Sequence, residues 1–384
     1  MQYDLTEEQR LIQQTARDFS DREIAPVADA HNREGRFPVE IVKKLGDLGF
    51  LGMLIPEEYG GSNMGNFALA LVLEEINRVC ASTGVTVSVH NSLVSGPITR
   101  WGSDELKRKY LPRLATGEIL GAYALSEPDS GSDAASLSTM AVRDGGEYVI
   151  NGSKSWITTG READVFIVMT RTDPKQRSRG ITAFILERGL KGFTIGRKEE
   201  KLGLHASSTV QLFFQDVRVP VHQMLGKEGS GFNIAMHTLD GGRIGIASQA
   251  VGIAQACLDA STKYAQEREA FGAPIGTFQA IQWKLANMAT QIEAARLLAY
   301  NAARLKDEGK NHTKEAAMAK LFASEMCNDA AREAVQIHGG AGYLQDFPVE
   351  RYFRDARITE IYEGTSEIQR IVISRHLLHG IYGH

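Results

Sequence analysis

Hydrophobic and polar positions follow two different periods along this chain, and the change of period divides it into three parts. Thr6-Glu-Glu-Gln9 is a capping-box pattern, and Leu11, Ile12, Thr15, Ala16 and Phe19 follow at helical spacing, which predicts a first helix. Pro26, the Gly35-Arg-Phe-Pro38 turn, the 46–52 segment and Pro56-Glu-Glu-Tyr-Gly-Gly61 cut the next part into short helices and loops. Helical periodicity resumes from Phe67 to Gly117, with breaks expected at Gly96-Pro97 and at Gly102-Ser103-Asp104, where Ser103 or Asp104 caps a helix running towards Pro112. Residues 1–120 therefore read as an all-helical domain.

The period then shortens. Tyr148-Val-Ile precedes Asn151-Gly152, a strong hairpin signal, and Ser153-Lys-Ser-Trp-Ile-Thr-Thr follows. Val165–Thr170, Ile181–Leu186 and Val210–Phe214 are further β-rich runs, with no long helices between them to build a parallel α/β fold. Residues 121–230 read as a β-barrel-like middle domain. From Gly231 the helical period returns. Ile281, Leu285, Met288, Ile292 and Ala299 mark one apolar face, and an alanine-rich helix runs from Thr313 to a stop at Gly339-Gly340. Residues 231–384 read as a C-terminal helical bundle, whose apolar surface favours oligomerisation. The fold class is α+β.

Composition narrows the function. With 43% hydrophobic residues, 23% charged residues and a net charge of −4, the chain has no basic surplus for nucleic acid or an anionic membrane, so phosphate binding has to be local. Cys80, Cys257 and Cys327 are widely spaced and form no CxxC pair, which suits reduced core thiols. No basic n-region or long apolar run is present, and the expectation is a cytoplasmic protein without a membrane span. There is no G-x-G-x-x-G after a strand and no Walker A loop, which disfavours a nicotinamide-binding unit. His376 and His379 lack a third partner nearby, and no metal is expected.

Three stretches carry candidate chemistry. Ile358-Thr-Glu-Ile-Tyr-Glu-Gly-Thr-Ser-Glu-Ile-Gln-Arg370 sets Glu363 between Tyr362 and Gly364. Tyrosine beside the acid strips it of water and raises its pKa, glycine lets a ligand approach the backbone, and Thr365 or Ser366 then caps a helix with free N–H groups. Ile368, Ile371 and Val372 give that helix a buried face. Glu363 is a candidate general base; a solvated Glu in a helix-capping loop is the alternative. Tyr123-Ala-Leu-Ser-Glu-Pro-Asp-Ser-Gly-Ser-Asp133 is rich in hydroxyls and N–H groups suited to a polar cofactor edge, or equally to an ordinary loop. Trp156-Ile-Thr158 offers an aromatic plane and a hydroxyl, or a core tryptophan.

Taken together and in order, Tyr123-Ala-Leu-Ser-Glu-Pro with Gly131-Ser-Asp133, Asn151-Gly-Ser-Lys-Ser-Trp-Ile-Thr158 and Ile361-Tyr-Glu-Gly-Thr365 resemble the acyl-CoA dehydrogenase family over essentially the whole chain. The resemblance implies an N-terminal helical domain, a middle β domain and a C-terminal four-helix domain, assembled as a homotetramer, a dimer of dimers, with one FAD per subunit. It implies flavin contacts from Tyr123, Leu125, Ser126, Ser132, Trp156, Ile157 and Thr158, with Ser132 also beside the CoA thioester. Asp240 and Arg243 of Leu239-Asp-Gly-Gly-Arg243 share one helix face and are expected to contact the CoA moiety, with Tyr362 and Gly364 completing the substrate site. Arg268, Phe271 and Gln279 are expected to reach the FAD of a neighbouring subunit, Gln336, Gly339 and Gly340 its adenosine end, and Thr365 and Glu367 its phosphates.

The activity so implied is α,β-dehydrogenation of an acyl-CoA to the trans-2-enoyl-CoA. Glu363 takes the α-proton, its own N–H and a ribityl hydroxyl stabilise the enolate oxygen, the hydride goes to flavin N5, and an electron-transferring flavoprotein receives the electrons. Some relatives carry the base at the position of Gly242, which has no side chain for it. The runs Leu239–Gln249 and Arg354–Arg370 look most like short-chain, butyryl-type enzymes, with branched short-chain or medium-chain specificity as the alternative. At Lys201-Leu-Gly-Leu-His-Ala-Ser-Ser208 relatives commonly have Arg-Gly in place of His205-Ala206, which leaves one contact of the β domain open. An oxidase of the same fold, or a non-catalytic module binding FAD or acyl-CoA, are the rival readings.

Overall fold

The computed structural model describes residues 5–378. Its first third is helical: α1 (Glu7–Phe19), α2 (Ala25–Glu34), α3 (Val39–Asp47), α4 (Gly65–Val79), α5 (Ala81–Ser88), α6 (Gly96–Trp101) and α7 (Asp104–Ala115). The capping box forms as expected, with Gln9 N–H donating to Thr6 Oγ1 and Thr6 N–H to Gln9 Oε1. Two breaks expected from proline do not occur. Pro26 and Pro97 each follow a π-helical segment, Ser20–Ile24 and Val89–Ser95, so both rods run on. A proline removes one N–H donor, and the wider i→i+5 turn before it keeps the remaining backbone groups paired. Helix α7 likewise continues through Pro112 to Ala115.

The middle of the chain forms one sheet in the order β6-β7-β3-β2-β4-β5-β8, with β1 beside β4. The strands are β1 (Gly121–Ala124), β2 (Met140–Asp144), β3 (Glu147–Thr158), β4 (Val165–Arg171), β5 (Ile181–Glu187), β6 (Phe193–Lys198), β7 (Thr209–Pro220) and β8 (Met224–Leu225). The sheet curls around its own core: Phe166 of β4 meets Phe193 of β6 at 4.9 Å between ring centres, and Tyr148 of β3 meets Phe184 of β5 at 4.9 Å. Strands β4 and β5 are buried on both faces, because their other side packs on the helices, and this explains their unbroken apolar runs.

The hairpin expected at Asn151-Gly152 lies elsewhere. The chain reverses between Asp144 and Glu147, and Asn151-Gly152 sits inside β3 at a bulge against β7. Gly152 takes φ +143 beside Thr139, and Asn151 Nδ2 donates to Asp216 Oδ1 at 3.0 Å while its Oδ1 accepts from Asp216 N–H at 2.8 Å. The Asn-Gly pair therefore kinks a strand instead of ending one. The 201–208 loop is held from within and from outside: His205 Nε2 lies 2.7 Å from the Lys201 carbonyl, Lys198 Nζ donates to the His205 carbonyl at 2.7 Å, and Leu204 N–H donates to Asp355 Oδ1 at 2.6 Å.

Helices α8 (Gly231–Glu267), α9 (Gln279–Asp307), α10 (Thr313–His338) and α12 (Ser366–Leu377) form the C-terminal bundle, with β9 (Glu269–Ala270), β10 (Ala273–Pro274) and the short α11 (Val349–Ala356) in its connections. α10 ends at His338, before Gly339-Gly340. Met288, Ile292 and Ala299 are buried, and Ile281 and Leu285 are partly buried against the same core. Ile371, expected inside, is 42% exposed; the buried positions of α12 are Ser366 and Gln369. α12 thus turns polar groups inward, towards the loop it follows.

Helix α4 ties the N-terminal helices to the bundle. Its first N–H groups are capped from α9, with Asn66 N–H and Phe67 N–H donating to the Asp307 carboxylate at 2.7 and 2.8 Å. Its buried Glu74 accepts from Arg296 Nε at 2.9 Å and the Tyr300 hydroxyl at 2.8 Å, both on α9. Against α8 it comes so close that a Cβ on Gly252 would collide with the Glu74 carbonyl and lie 2.9 Å from Arg78 N. Among the described residues no helix is long and apolar enough to cross a membrane. Gly252→Val is expected to push α4 from α8 at a cost of ~1–3 kcal/mol, read as a lower Tm; an unchanged Tm would mean this crossing yields freely.

Candidate active site

The loop between α11 and α12 holds its residues in an unusual backbone conformation. After a 3₁₀ turn over Arg357–Glu360, Glu363 and Gly364 take φ +54 and +92. A left-handed glutamate costs ~1–2 kcal/mol, so the surroundings have to fix it. Lys320 Nζ on α10 donates to the Gly364 carbonyl at 2.7 Å, and Gln369 Nε2 on α12 donates to the Gly364 and Glu363 carbonyls at 2.8 and 3.3 Å. Thr365 caps α12, its hydroxyl accepting from Ile368 N–H. Within the loop, the half-buried Tyr362 donates its hydroxyl to Gln249 Oε1 on α8, and Gln249 Nε2 donates to the Ala81 carbonyl at 3.1 Å.

So held, the Glu363 side chain enters a space that α8 leaves open. Oε2 is cut off from solvent and has no hydrogen-bond partner. Burial pushes the carboxyl up to about 7, against the pull of Lys320, Arg243 and Lys306. The same burial lowers Lys320 and Lys306 to about 8. A Cβ on Gly242 would occupy the position of Glu363 Oε2, so the bare backbone at 242 is what makes room for the acid. Asp240 and Arg243, expected to meet a ligand, meet each other: Arg243 Nη1 donates to Asp240 Oδ1 at 2.5 Å, and Thr313 Oγ1 donates to Asp240 Oδ2 at 2.6 Å. Arg243 Nε remains without a partner.

From the sheet side, Tyr123 brings a buried hydroxyl that also lacks a partner and feels the charge of Glu363, which with burial raises its pKa. The 123–133 loop is anchored by one buried carboxylate. Glu127 accepts from Ser138 N–H at 2.6 Å, Ser138 Oγ at 2.8 Å, Thr139 N–H at 2.9 Å and Lys154 Nζ at 2.8 Å, and Lys154 also donates to the Leu125 carbonyl at 3.0 Å. Burial alone would raise the Glu127 carboxyl; the Lys154 ammonium and these donors pull it down to about 2. Ser155 N–H donates to the Ser126 carbonyl at 2.9 Å, so loop and strand are fastened together. Just beyond, β3 breaks register between Lys154 and Ile157. Trp156 there takes φ +59 and stands 60% exposed, which rules out the core-tryptophan alternative, while Ile157 is buried and Thr158 half-buried. Ser132 is exposed at the loop tip.

The remaining expected residues do not join this cluster within one chain. Gln336, Gly339 and Gly340 lie exposed at the far end of α10, ~24 Å along the helix from Lys320, and Arg268 is ~37 Å along α8 from Arg243 at 1.5 Å per residue. Phe271 is 98% exposed on the β9–β10 turn with Arg268 and Gln279 exposed beside it. Glu367 is exposed on the first turn of α12, its carboxylate favoured by its own N–H and the Thr365 hydroxyl. His376 Nδ1 lies 3.0 Å from the Val372 carbonyl, His379 falls outside the described residues, and no metal-binding group of His, Cys, Asp or Glu occurs among the described ones.

Models of the acyl-CoA dehydrogenase N-terminal, middle and C-terminal domains match residues 6–118, 122–217 and 229–378. The mitochondrial short-chain specific acyl-CoA dehydrogenase of Mus musculus is 52% identical over 375 residues, 98% of this chain and 91% of that protein. The solved butyryl-CoA dehydrogenase of Megasphaera elsdenii is 46% identical with a TM-score of 0.96, over 98% of this chain and 100% of its own. A chain solved in work on the electron transferring flavoprotein of Acidaminococcus fermentans is 48% identical with a TM-score of 0.97, over 99% of this chain and 100% of its own.

Sequence reasoning missed Lys320, Lys306, Gln369 and the Glu127–Lys154 pair. Two of these had a signal. Lys320 falls on the apolar stripe Ala316, Lys320, Ala323, Cys327, and Lys154 takes the inward position of β3 after Tyr148 and Ile150; a charge on a buried face needs a partner. Lys154→Met leaves the Glu127 carboxylate buried without its cation and is expected to cost ~3–5 kcal/mol. The check is Tm, which should fall markedly and recover in part when Glu127→Gln is added; a single variant as stable as the parent contradicts the assignment.

Proposed function

The chain belongs to the acyl-CoA dehydrogenase family, a family of FAD-dependent oxidoreductases, and from that premise we propose that it desaturates a short unbranched acyl-CoA between Cα and Cβ with Glu363 as base. The observation that carries this reading is the Glu363 carboxylate itself, its Oε2 cut off from solvent without a hydrogen bond and its pKa raised by burial to about 7. The α-proton of a thioester is weakly acidic, and a base that is dry and half-ionised near neutrality suits its removal. Likeness to short-chain and butyryl-CoA enzymes supports the short acyl chain.

The residues present fit the family's cofactor. The exposed Trp156 offers a plane, Tyr123 an unpartnered buried hydroxyl, and the Ser126–Ser132 loop a row of hydroxyls and N–H groups on a fixed base. Tyr123, Leu125, Ser126, Ser132 and Trp156 to Thr158 would hold FAD in its own subunit. Arg268, Phe271, Gln279, Gln336, Gly339 and Gly340 would meet the FAD of another copy, and the separation of Gln336 from Lys320 along α10 and of Arg268 from Arg243 along α8 supports that division. When bound, FAD supplies the acceptor for the β-hydride. The chain's share is to orient the thioester near Ser132, Arg243 and Gly364, to exclude water through Tyr362, and to take the α-proton on Glu363 while the Glu363 N–H faces the developing enolate oxygen.

An electron-transferring flavoprotein is the onward acceptor in this reading. Large exposed side chains, Phe271, Trp283, Tyr343 and Phe353 among them, support burial in a homotetramer. Three free, buried thiols suit a reducing, cytoplasmic setting.

Anaerobic addition of butyryl-CoA to the flavin-loaded protein is expected to bleach the flavin more fully than isovaleryl-CoA or octanoyl-CoA, and Glu363→Gln is expected to abolish it. Better bleaching by a branched or longer thioester would overturn the chain length, and none with any thioester would overturn the activity. Oxygen uptake with acyl-CoA alone would make it an oxidase. A second expectation concerns stability. The folded pKa of Glu363 lies above its unfolded value, so the folded state is penalised progressively as pH rises from about 4.5 to above about 7. Glu363→Gln should raise Tm more at pH 8 than at pH 5; an equal effect at both would show that the carboxylate is not held out of water.

A further inference from the structure

Resting on the base assignment above, we propose that Lys320 is a positioning residue for Glu363: its buried ammonium pins the left-handed Glu363–Gly364 turn through the Gly364 carbonyl and supplies the charge that faces the carboxylate. Lys320 has no exposed surface, and its hydrogen bond goes to a neutral carbonyl, so its charge is not spent on a hydrogen-bonded acid. The other groups that face Glu363 are differently engaged. From α8, Arg243 is bonded to Asp240. From α9, Lys306 faces Asp307 and Asp240 as well as Glu363. Tyr123 from β1 and Tyr362 from the loop are neutral phenols whose pKa burial raises further. Glu360 and Glu367 also act on Lys320, from the 3₁₀ turn and from α12.

The hydrogen bond and the charge are separable, because Gln369 donates to the same Gly364 carbonyl at 2.8 Å. Loss of the Lys320 bond therefore loosens the turn without releasing it, while loss of its charge leaves the Glu363 carboxylate facing Arg243 and Lys306 alone. A carboxyl that loses a neighbouring cation binds its proton more tightly.

The experiment compares the flavin-loaded parent with Lys320→Gln, which keeps a donor without charge, and Lys320→Met, which keeps neither. The rate of anaerobic flavin reduction at limiting butyryl-CoA is followed from pH 5.5 to 9. Both variants should move the acid-side midpoint upward by roughly one pH unit, on the scale of one charge neighbour, and only Lys320→Met should also lower the limiting rate at high pH. An unmoved midpoint in Lys320→Gln, with the rate reduced, would leave Lys320 a purely structural group and overturn the proposal. A Lys320→Gln protein that fails to fold or keep flavin would overturn it too, since Gln369 should then suffice to hold the turn. A parent that reduces no thioester would instead sink the base assignment.

Discussion

The molecule is organised around one unfavourable act, placing a carboxylate so that one of its oxygens, Oε2 of Glu363, is cut off from water and has no hydrogen bond. Desolvating an ion is expensive, and an isolated one would take a proton. Glu363 stays near the balance point because three cations approach it from three helices, Lys320 on α10, Arg243 on α8 and Lys306 on α9. The apolar core that α8, α9 and α10 share is what brings those three cations to one place. The placement of the acid explains the shape of α8 at Gly242, where any side chain would take the volume that the Glu363 oxygen fills. Positions 242 and 363 are remote in sequence yet compete for one space.

The backbone serves the same end. A residue at φ +54 followed by one at φ +92 aims a side chain across a gap that a regular helix start could not reach. Such a turn does not hold itself, and the chain spends a buried lysine and a buried glutamine on its two carbonyls. This is why the inward face of α12 is polar, and why Ile371, apolar and on helical spacing, stands outside it.

How much of this the sequence discloses depends on whether the signal is local. The capping box, the Thr365 cap, the helical stripes and the alternation of the strands are contacts within a few residues, and they read directly. Asn151-Gly152 misleads because its usual turn conformation is overridden by Asp216, 65 residues away, which turns the pair into a bulge. Pro26 and Pro97 mislead because a π turn ahead of each absorbs the lost donor, a device with no mark in composition. Glu363 is legible through Tyr362 and Gly364 beside it. Lys306 is not, since its only distinction is the helix it faces.

Two glutamates with lysine neighbours show how one residue pair yields opposite chemistry. At Glu127 the carboxylate accepts two N–H groups, a hydroxyl and the Lys154 ammonium directly, and its pKa falls to about 2. Every lone pair is engaged, so the group is a fixed anion that fastens a loop to a strand and cannot accept another proton near neutrality. At Glu363 the lysine is bonded to the backbone next door, Oε2 accepts nothing, and the pKa rises to about 7. Burial pushes both carboxyls up; at Glu127 the donors that reach the carboxylate reverse that push, whereas at Glu363 the lysine's hydrogen bond stops at the peptide beside it. A buried acid that has its charges near but its hydrogen bonds withheld stays free to take a proton, and that is the property a base in a dry site requires.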